Sequence, residues 1–267
     1  MLGRMALLGA NNSTVTPMQM PKTLWLDASD NSSVITVSGA VSQWSDKSGN
    51  SRHVYQATAN YRPAYVTAGL NEINVISFNG SSGQLSLASN LSIGTSYSIY
   101  VVVKNNNTIT SPASFNDQAI LYCPSPITFL NTGNSASAVT GELLYFGDTS
   151  LSAGSNGYAK SGISIAPQTF LIALRKSSGF SGRFTGADDF TTTVNGGLDP
   201  TVAMTLRNIG SYDAISSVFN GLMCEIIIFP TSQSLSDTQY TEGYLAWKWG
   251  FQLSLPVDHP YRSAPPT

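Results

Sequence analysis

The run Trp44-Ser-Asp46-Lys-Ser-Gly49-Asn50 carries the side chains best suited to holding an ion or a ligand. The oxygens of Asp46 and Asn50 can coordinate Ca²⁺, Gly49 allows a tight turn, and backbone carbonyls can complete the shell. The run lacks the dense alternating acids of an EF-hand loop. The alternative is a turn between strands, in which Asp46 accepts backbone N–H hydrogen bonds. The sequence therefore indicates no required cofactor and leaves Ca²⁺ as one alternative.

Aromatic side chains beside polar turns are candidates for stacking on a sugar ring. The candidates are Trp44 in the run above and five tyrosines that flank polar turns, Tyr55, Tyr61, Tyr145, Tyr158 and Tyr212. Trp25 could also stack on a sugar, but it lies between two leucines, and an aromatic residue so placed in a strand is more often part of the core. Asp27 and Asp30 after it are interpreted as turn acceptors.

Glycoside hydrolysis with retention needs two carboxyl groups about 5–5.5 Å apart. On one strand this means acidic residues at i and i+2 or i+4, because alternate residues share a face. The chain contains four glutamates, Glu72, Glu142, Glu225 and Glu242, and none has an acidic residue at that spacing. Asp188 and Asp189 are adjacent and would point to opposite faces. Neither a Gly-x-Ser-x-Gly elbow nor a phosphate-binding glycine loop is present. We therefore expect no enzymatic activity.

The histidines and cysteines offer little chemistry. His53 and His259 are the two histidines, and neither has an evident partner in the sequence. Cys123 and Cys224 lie in or beside apolar runs, which favours buried free thiols over a disulfide. Neither cysteine has a histidine or a second cysteine at metal-ligand spacing.

The composition is that of a β-protein with an uncharged polar surface. Hydrophobic residues make up 42% of the 267 residues and charged residues only 10%, against about 25% charged residues in ordinary globular domains. The formal net charge is −2, and lysine and arginine are scattered along the chain. No basic stripe is available to follow phosphates, so nucleic-acid binding is not expected. This pattern suits extracellular and virion proteins.

Short runs of β-branched and aromatic residues, bounded by Gly, Asn and Pro, predict many strands. They lie at 73–78, 98–103, 169–174, 182–186, 202–206 and 225–229, and long polar segments at 104–118, 131–140, 147–162 and 187–200 are interpreted as loops. The sequence predicts one helix, at about 236–249, with a capping box formed by Ser236 and Gln239 and a terminating Gly250. The fold class is therefore all-β, an antiparallel β-sandwich or jelly roll with one short C-terminal helix.

Three motifs carry a family resemblance. Leu24-Trp-Leu-Asp-Ala-Ser-Asp30, Trp44-Ser-Asp-Lys-Ser-Gly-Asn50 and Gly243-Tyr-Leu-Ala-Trp-Lys-Trp-Gly250 resemble the concanavalin A-like lectin/glucanase superfamily, specifically laminin-G-like modules. Similar modules occur in phage virion proteins and bacterial surface proteins. The resemblance implies two curved sheets, a ligand on the concave face or at the rim loops, and often a calcium ion at the rim. The superfamily includes lectins, hydrolases and structural parts, so function depends on the site.

We expect two parts in the chain, an arm at 1–21 and a lectin-like sandwich at 22–267. The apolar run within residues 1–10 is shorter than the core of a signal peptide or a membrane span, so neither a signal peptide nor membrane insertion is expected. An apolar arm suits docking to other virion subunits; the alternative is a disordered start without a role.

The leading hypothesis is a non-catalytic, lectin-like phage virion protein, assembled in the host cytoplasm and displayed on the tail or capsid, that binds host-surface glycan. The rival is a structural capsid-decoration or fibre protein anchored by its arm, with no sugar binding. A homo-oligomer is expected in either case, and a trimer is plausible. A bacterial adhesin module is a third and weaker alternative.

Overall fold

The computed structural model describes residues 16–106, 118–124, 127–132, 144–148, 157–161, 167–188, 190–192 and 203–267, with only the backbone described at 127–129, 144–148, 157–161, 188 and 190–192. The strands are β1 (Leu24–Asp27), β2 (Val34–Val37), β3 (Ala40–Trp44), β4 (Val54–Tyr55), β5 (Ala64–Leu70), β6 (Ile73–Asn79), β7 (Leu85–Gly94), β8 (Tyr97–Asn105), β9 (Gln118–Pro124), β10 (Ile127–Thr132), β11 (Leu144–Asp148), β12 (Gly157–Ser161), β13 (Thr169–Lys176), β14 (Phe180–Phe184), β15 (Ala187–Asp188), β16 (Phe190–Thr192), β17 (Met204–Ile209) and β18 (Asn220–Phe229). The α-helix is α1 (Leu235–Trp249).

The strands pair antiparallel into one continuous sheet that curls into two layers. The helix-side layer contains β1, β18, β8, β13 and β14, with β6 beside β18 and β5 beside β6. The open layer runs β2, β3, β4, β7, β17, β9, β10, β11, β12 and β16. Ala40 of β3 pairs with Ala64 of β5 and joins the layers. The expected antiparallel β-sandwich is confirmed, and the described ranges contain one α-helix, at the C-terminal position expected.

The central strands of the helix-side layer, β8, β13 and β18, are buried on both faces, which explains why they are mostly apolar. Val101 and Ile226 belong to the core between the two layers, together with Leu206 of the open layer. Their neighbours in the chain, Val102 and Ile227, belong to a second core beneath α1. Because alternate strand residues point to opposite faces, a strand covered on both sides must be apolar at every position.

Helix α1 is capped at both ends by its own sequence. The Ser234 Oγ accepts a hydrogen bond from the Asp237 backbone N–H at 3.1 Å and donates to the Asp237 carboxylate at 2.7 Å. The N-cap is therefore Ser234, and the predicted capping box of Ser236 and Gln239 is wrong, because the acidic Asp237 holds the N3 position. Gly250 has a φ of 75° and ends the helix as predicted.

The first described residues pack on the sandwich. A 3₁₀ turn at Pro17–Gln19 places Met18 and Met20 against the second core. The Lys22 ammonium donates to the carbonyl oxygens of Met18 and Met20 at 2.6 and 3.2 Å. The portion of the predicted arm from residue 16 onward thus lies against the helix side, while residues 1–15 lie outside the described part of the chain.

Two of the predicted loops contain strands. The segment 147–162 includes the end of β11 and all of β12, and the segment 187–200 includes β15 and β16. β12 pairs with β11 on one side and with β16 on the other. The prediction of loops there is wrong, because these segments lack the apolar alternation that marks a half-buried strand. They become strands through backbone pairing with their neighbours.

Candidate functional site

One row of directly paired residues crosses the open layer and faces away from the core. The row runs Ile35, Gln43, Tyr55, Ser86, Asn208 and Tyr122 across β2, β3, β4, β7, β17 and β9. The adjacent row, Val34, Trp44, Val54 and Leu87, is buried. Because successive residues alternate between faces, the first row lies on the outer surface. We call Tyr55, Ser86, Asn208, Tyr122 and the adjoining Tyr212 the tyrosine row.

Side-chain contacts order the tyrosine row. The Ser86 hydroxyl donates to the Asn208 amide oxygen at 3.0 Å, and the Asn208 amide nitrogen donates to the Tyr212 carbonyl at 2.7 Å. The rings of Tyr122 and Tyr212 stack with centroids 4.2 Å apart and planes at 26°. The Asn131 amide contacts the Tyr212 hydroxyl. Burial raises the pKa of Tyr122. Tyr212 is therefore held at its carbonyl by Asn208 and at its hydroxyl by Asn131, which fixes its ring against Tyr122.

The tyrosine row combines aromatic surface with neutral hydrogen-bonding groups. Tyr55 is 41% exposed and meets the His53 ring edge-on, with centroids 6.1 Å apart. Three strand spacings separate Tyr55 from Tyr122, which is about 14 Å at 4.7–4.9 Å per strand. The Ser86 hydroxyl and the Asn208 amide occupy the two strands between them, and Asn208 is 8% exposed with its amide bonded to Ser86 and Tyr212. Such a surface can stack on a ligand at two points and hydrogen-bond to it through Ser86 between those points.

The structure brings together two of the predicted tyrosines, Tyr55 and Tyr212. Tyr61 ends a 3₁₀ turn at Ala59–Tyr61, outside the row. Tyr145 and Tyr158 lie on β11 and β12, and their side chains lie outside the described part of the chain. By backbone register, Tyr158 is opposite Gly147.

The predicted ligand contact through Trp44 is corrected by its burial. Trp44 is 0% exposed and belongs to the core between the layers, next to Val34 and Val54 in the inner row. A strand position one residue away from an outward-facing residue points inward, so its indole cannot reach a ligand at the surface.

Asp46 is occupied as a turn acceptor. Its Oδ1 accepts from the backbone N–H groups of Trp25 and Ser48 at 3.0 and 2.9 Å, and its Oδ2 accepts from Arg52 N–H at 3.0 Å and the Ser48 hydroxyl at 2.7 Å. The Asn50 amide nitrogen donates to the Lys22 carbonyl at 2.8 Å. This geometry matches the turn alternative. In the described ranges, no group of three or more His, Cys, Asp or Glu converges as a metal site.

A charged cluster joins β1, β18 and the end of α1. The buried Glu225 accepts hydrogen bonds from the indole N–H groups of Trp25 and Trp249, both at 2.8 Å. The Lys248 ammonium is 2.6 Å from Glu225 and 2.9 Å from Asp27. Trp25 is thus a half-buried partner of a carboxylate, and the ammonium groups of Lys22 and Lys47 each lie 4.8 Å from its ring centroid.

Burial and charge act against each other in this cluster. Burial raises the pKa of Glu225 above its usual range, opposed by Lys248. Burial would also raise the pKa of Asp27, but Lys248 and hydrogen bonds from Ser29 and Lys47 bring it below its usual range. Burial would lower the pKa of Lys248, yet the two carboxylates hold it above its usual value. Lys248 therefore stays charged between them.

A second charged group lies on the other side of α1. Arg183 Nε donates to Glu242 at 2.7 Å, and His259 Nε2 is 3.1 Å from the other Glu242 oxygen. All three side chains are buried. His259 has no evident partner in the sequence, and the structure shows that its partner is Glu242 of α1. His53 likewise has a partner, since its Nδ1 accepts the Asp46 N–H at 3.0 Å.

Several site residues escaped the sequence reasoning. Tyr122, Ser86 and Asn208 join the tyrosine row only through pairing of strands far apart in the chain. One local signal was available: Leu85-Ser86-Leu87 alternates apolar and polar residues, which places Ser86 on an outer face. Cys123 and Cys224 are buried thiols, and burial raises the pKa of Cys224. None of the described helices is long and apolar enough to cross a membrane.

Neither a protein-family model nor a curated protein sequence matches the chain. Solved structures are similar in fold. Domain 4 of AbnA, an extracellular GH43 arabinanase from Geobacillus stearothermophilus, is 15% identical with a TM-score of 0.53, over 81% of this chain and 96% of that chain. The binding domain of Paraclostridial Mosquitocidal Protein 1 is 9% identical with a TM-score of 0.56, over 84% of this chain and 52% of that chain.

The botulinum neurotoxin serotype D binding domain is 14% identical, with a TM-score of 0.53, and the match covers 83% of this chain and 50% of that chain. At these identities the likeness shows the fold. The shared feature is an all-β sandwich.

Proposed function

We propose that the chain is a non-catalytic, lectin-like module that binds glycan through the tyrosine row. The observation that carries the proposal is the row itself: Tyr55 and the stacked pair of Tyr122 and Tyr212 on one outer face, with Ser86 and Asn208 between them. Sugar rings offer C–H faces to aromatic rings and hydroxyls to polar side chains. The tyrosine row supplies the rings of its three tyrosines and the Ser86 hydroxyl.

The length of the row suits an oligosaccharide. The separation of about 14 Å between Tyr55 and Tyr122 exceeds the width of one sugar ring, so a single ligand touching both must contain several sugars. The groups between them are neutral, which favours hydroxyl recognition over ion pairing. The proposal is therefore a linear glycan lying across the strands.

Two structures similar in fold were solved with sugars. The arabinanase domain was in complex with arabinotriose, and the serotype D binding domain was in complex with N-acetylneuraminic acid. These complexes support sugar binding by sandwiches of this kind. The sugar in each case belongs to that protein, and the ligand of this chain follows from its own residues.

The non-catalytic part of the proposal rests on the acidic residues. Asp27 and Glu225 are paired across β1 and β18. Among the described strands, they are the one directly paired couple of carboxylates that could be considered for hydrolysis. Both are buried and held by the Lys248 ammonium. A hydrolase needs its carboxylates open to the glycosidic bond. Glu225 is instead closed off by two indoles.

The finer form of the proposal is host attachment by a phage virion, with many copies displayed on a tail or capsid. It rests on the resemblance of the sequence motifs to virion modules. Weak contacts of single copies would be strengthened by effective concentration when many copies face the same surface.

The test is a glycan array followed by titration of the best oligosaccharide, using the full chain and the variants Tyr55→Ala and Tyr212→Ala. We expect each variant to weaken binding roughly tenfold, which corresponds to about 1.4 kcal/mol. Tyr55→Phe should bind like the parent, since the ring remains. The matched control is Tyr240→Ala, on α1 away from the row. Full affinity in both row variants would refute the proposed surface.

The rival role, a capsid-decoration or fibre protein without sugar binding, is favoured by one observation. Ile35 and Val37 on β2 are 49% and 51% exposed, which is an apolar pair open to a neighbouring subunit. The rival predicts an oligomer, such as a trimer, and the double variant Ile35→Ser, Val37→Thr should dissociate it. Light scattering measures the mass of the parent and of the variant. Anchoring by the arm is tested by deleting residues 1–15, which keeps the packed Met18 and Met20. Particle incorporation that survives the deletion would exclude the anchor.

A further inference from the structure

A pocket of about 300 Å³ opens beside α1, on the helix side of the sandwich and away from the tyrosine row. Charged and polar side chains that line it are Arg183, Gln239, Asp258 and His259, and apolar ones are Leu235 and Pro256. Gln239 and Leu235 come from the first turns of α1, and Asp258 and His259 from the segment after it. The pocket includes Arg183 and His259 of the second charged group but no residue of the tyrosine row.

The ionic groups at the inner end of the pocket satisfy one another. Glu242 receives Arg183 Nε on one oxygen and His259 Nε2 on the other, at 2.7 and 3.1 Å. The Nδ1 of His259 accepts the Tyr261 backbone N–H at 3.2 Å. An acceptor Nδ1 places the imidazole proton on Nε2, so His259 donates to Glu242. The inner end therefore requires no counter-ion from a ligand.

The polar groups at the mouth remain open. Within the described part of the chain, neither the Gln239 amide nor the Asp258 carboxylate makes a hydrogen bond or an ion pair, and Asp258 is exposed. Beside them, Leu235 is 48% exposed. The mouth of the pocket therefore presents a carboxylate and an amide beside an apolar surface, and both polar groups are available to a ligand.

We propose that this pocket binds a single neutral sugar residue, as a second carbohydrate site separate from the tyrosine row. The Asp258 carboxylate can accept hydrogen bonds from two adjacent hydroxyls, and the Gln239 amide can donate and accept. Leu235 and Pro256 supply an apolar surface for the C–H face of the ring. The volume lies at the small end of ligand sites, about 300–1,000 Å³, which suits one sugar rather than a chain.

Charge selects the class of sugar. Arg183 is neutralised by Glu242, so the carboxylate of Asp258 is the uncompensated charge at the pocket. A sugar acid would place its own carboxylate near that charge, which disfavours binding. Neutral hexoses, pentoses and N-acetylhexosamines carry no such penalty. This inference rests on the proposed function for its ligand class, but the two sites lie on opposite sides of the sandwich and can be tested apart.

The test is a nitrogen-15 NMR titration of the full chain with D-galactose, D-glucose, L-arabinose and N-acetylglucosamine as neutral probes, and N-acetylneuraminic acid as the anionic probe. The side-chain amide of Gln239 reports the pocket, and that of Asn208 reports the tyrosine row. We expect at least one neutral probe to shift Gln239 saturably, with a Kd below about 50 mM, and the anionic probe to leave it unshifted.

Variants separate the two sites. Asp258→Asn and Gln239→Ala should each weaken sugar binding at the pocket roughly tenfold or more. In Gln239→Ala, binding is measured from the backbone amide signals around residue 258. Glu72→Gln, an exposed carboxylate elsewhere, and Tyr55→Ala should leave it unchanged.

The outcomes are distinguishable. If oligosaccharide shifts Asn208 but no neutral probe shifts Gln239, or if Asp258→Asn binds as the parent does, the pocket proposal is wrong and the tyrosine row stands. If neutral probes shift Gln239 and no glycan shifts Asn208, the pocket stands and the tyrosine row is wrong. Equal binding of N-acetylneuraminic acid at the pocket would overturn the neutral-sugar assignment.

Discussion

Asp27 and Glu225 lie directly opposite each other on β1 and β18, and the ammonium of Lys248 lies between their carboxylates. Residues paired in this way point to the same face, so the two acids would repel without a cation. Lys248 comes from the last turn of α1. The cluster therefore fastens the end of the helix to the sheet.

Lys248→Met should destabilise the protein by about 3–5 kcal/mol, because it leaves two buried carboxylates without their shared cation. The measurement is the free energy of unfolding in urea at neutral pH. Lys104→Met removes an ammonium from β8, outside the cluster, and should change stability by less than about 1 kcal/mol. Similar losses in both variants would contradict the role given to Lys248.

The N-cap of α1 can be tested by two serines that are two residues apart. Ser234→Ala should lower the free energy of unfolding by about 1 kcal/mol, since its Oγ satisfies the Asp237 N–H. Ser236→Ala should change it by only a few tenths, because Ser236 lies within the first turn. Chemical denaturation of the two variants gives the comparison. A larger loss for Ser236→Ala would restore the capping box predicted from the sequence.

The fold could largely be predicted because its strongest signals are local. The apolar runs around Val101 and Ile226 identify strands buried on both faces, and Gly250 identifies the end of the helix. β12 could not be predicted, since Gly157-Tyr-Ala-Lys-Ser161 carries no apolar alternation and becomes a strand only by pairing with its neighbours. Strand formation of that kind is a property of tertiary context rather than of the segment.

The candidate site was harder to predict, because its residues meet across distant strands. Tyr55 and Tyr212 could be chosen as tyrosines beside polar turns. Their companions Ser86 and Asn208 are ordinary polar residues until register places them in one row. Trp44 failed for a related reason: an aromatic residue beside a polar turn can still point inward, and only pairing with Val34 and Val54 reveals it.

Acid should weaken one surface contact in a defined range of pH. A hydrogen bond from Lys47, with others from Ser32, lowers the pKa of Asp30 from 3.8 to about 2. Because the pKa is lower in the folded protein, Asp30 contributes to stability above the pKa of the unfolded chain. That contribution is lost as pH falls from about 4 to about 2. The difference in stability between the parent and Asp30→Asn should therefore shrink over that range.

The size of this difference should stay below about 1 kcal/mol, because the side chain of Asp30 is 32% exposed and solvent screens the ion pair. The free energies of unfolding of the parent and the variant are measured in urea at several pH values. Subtracting the value of the variant from that of the parent removes the contribution of Asp27. Repeating the series in 1 M salt should reduce the difference further through screening. A difference independent of pH would show that Asp30 and Lys47 do not interact in solution.

Gly243→Ala should destabilise the protein although alanine favours helices over glycine by about 1 kcal/mol. A Cβ at Gly243 would lie 2.5 Å from the Cβ of Tyr261, which is closer than two carbon atoms can pack. Because the Tyr261 Cβ is bonded to the backbone, a side-chain rotation cannot relieve the clash. The segment around Tyr261 must then move away from α1. Thermal unfolding measures the sign. Gly179→Ala is the control, since a Cβ there meets open space, and a stabilised Gly243→Ala would contradict the close packing.

Calcium should leave the stability of the protein unchanged, because Asp46 already accepts hydrogen bonds from three N–H groups and one hydroxyl. A cation could bind this carboxylate only by displacing those donors, which would leave buried N–H groups unpaired. The midpoint of thermal unfolding should therefore agree between millimolar Ca²⁺ and chelator. Asp46→Asn should lower the free energy of unfolding by about 1–3 kcal/mol, since an amide nitrogen would face at least one donor. A midpoint that rises with Ca²⁺, and stops rising in Asp46→Asn, would instead establish a calcium site at this turn.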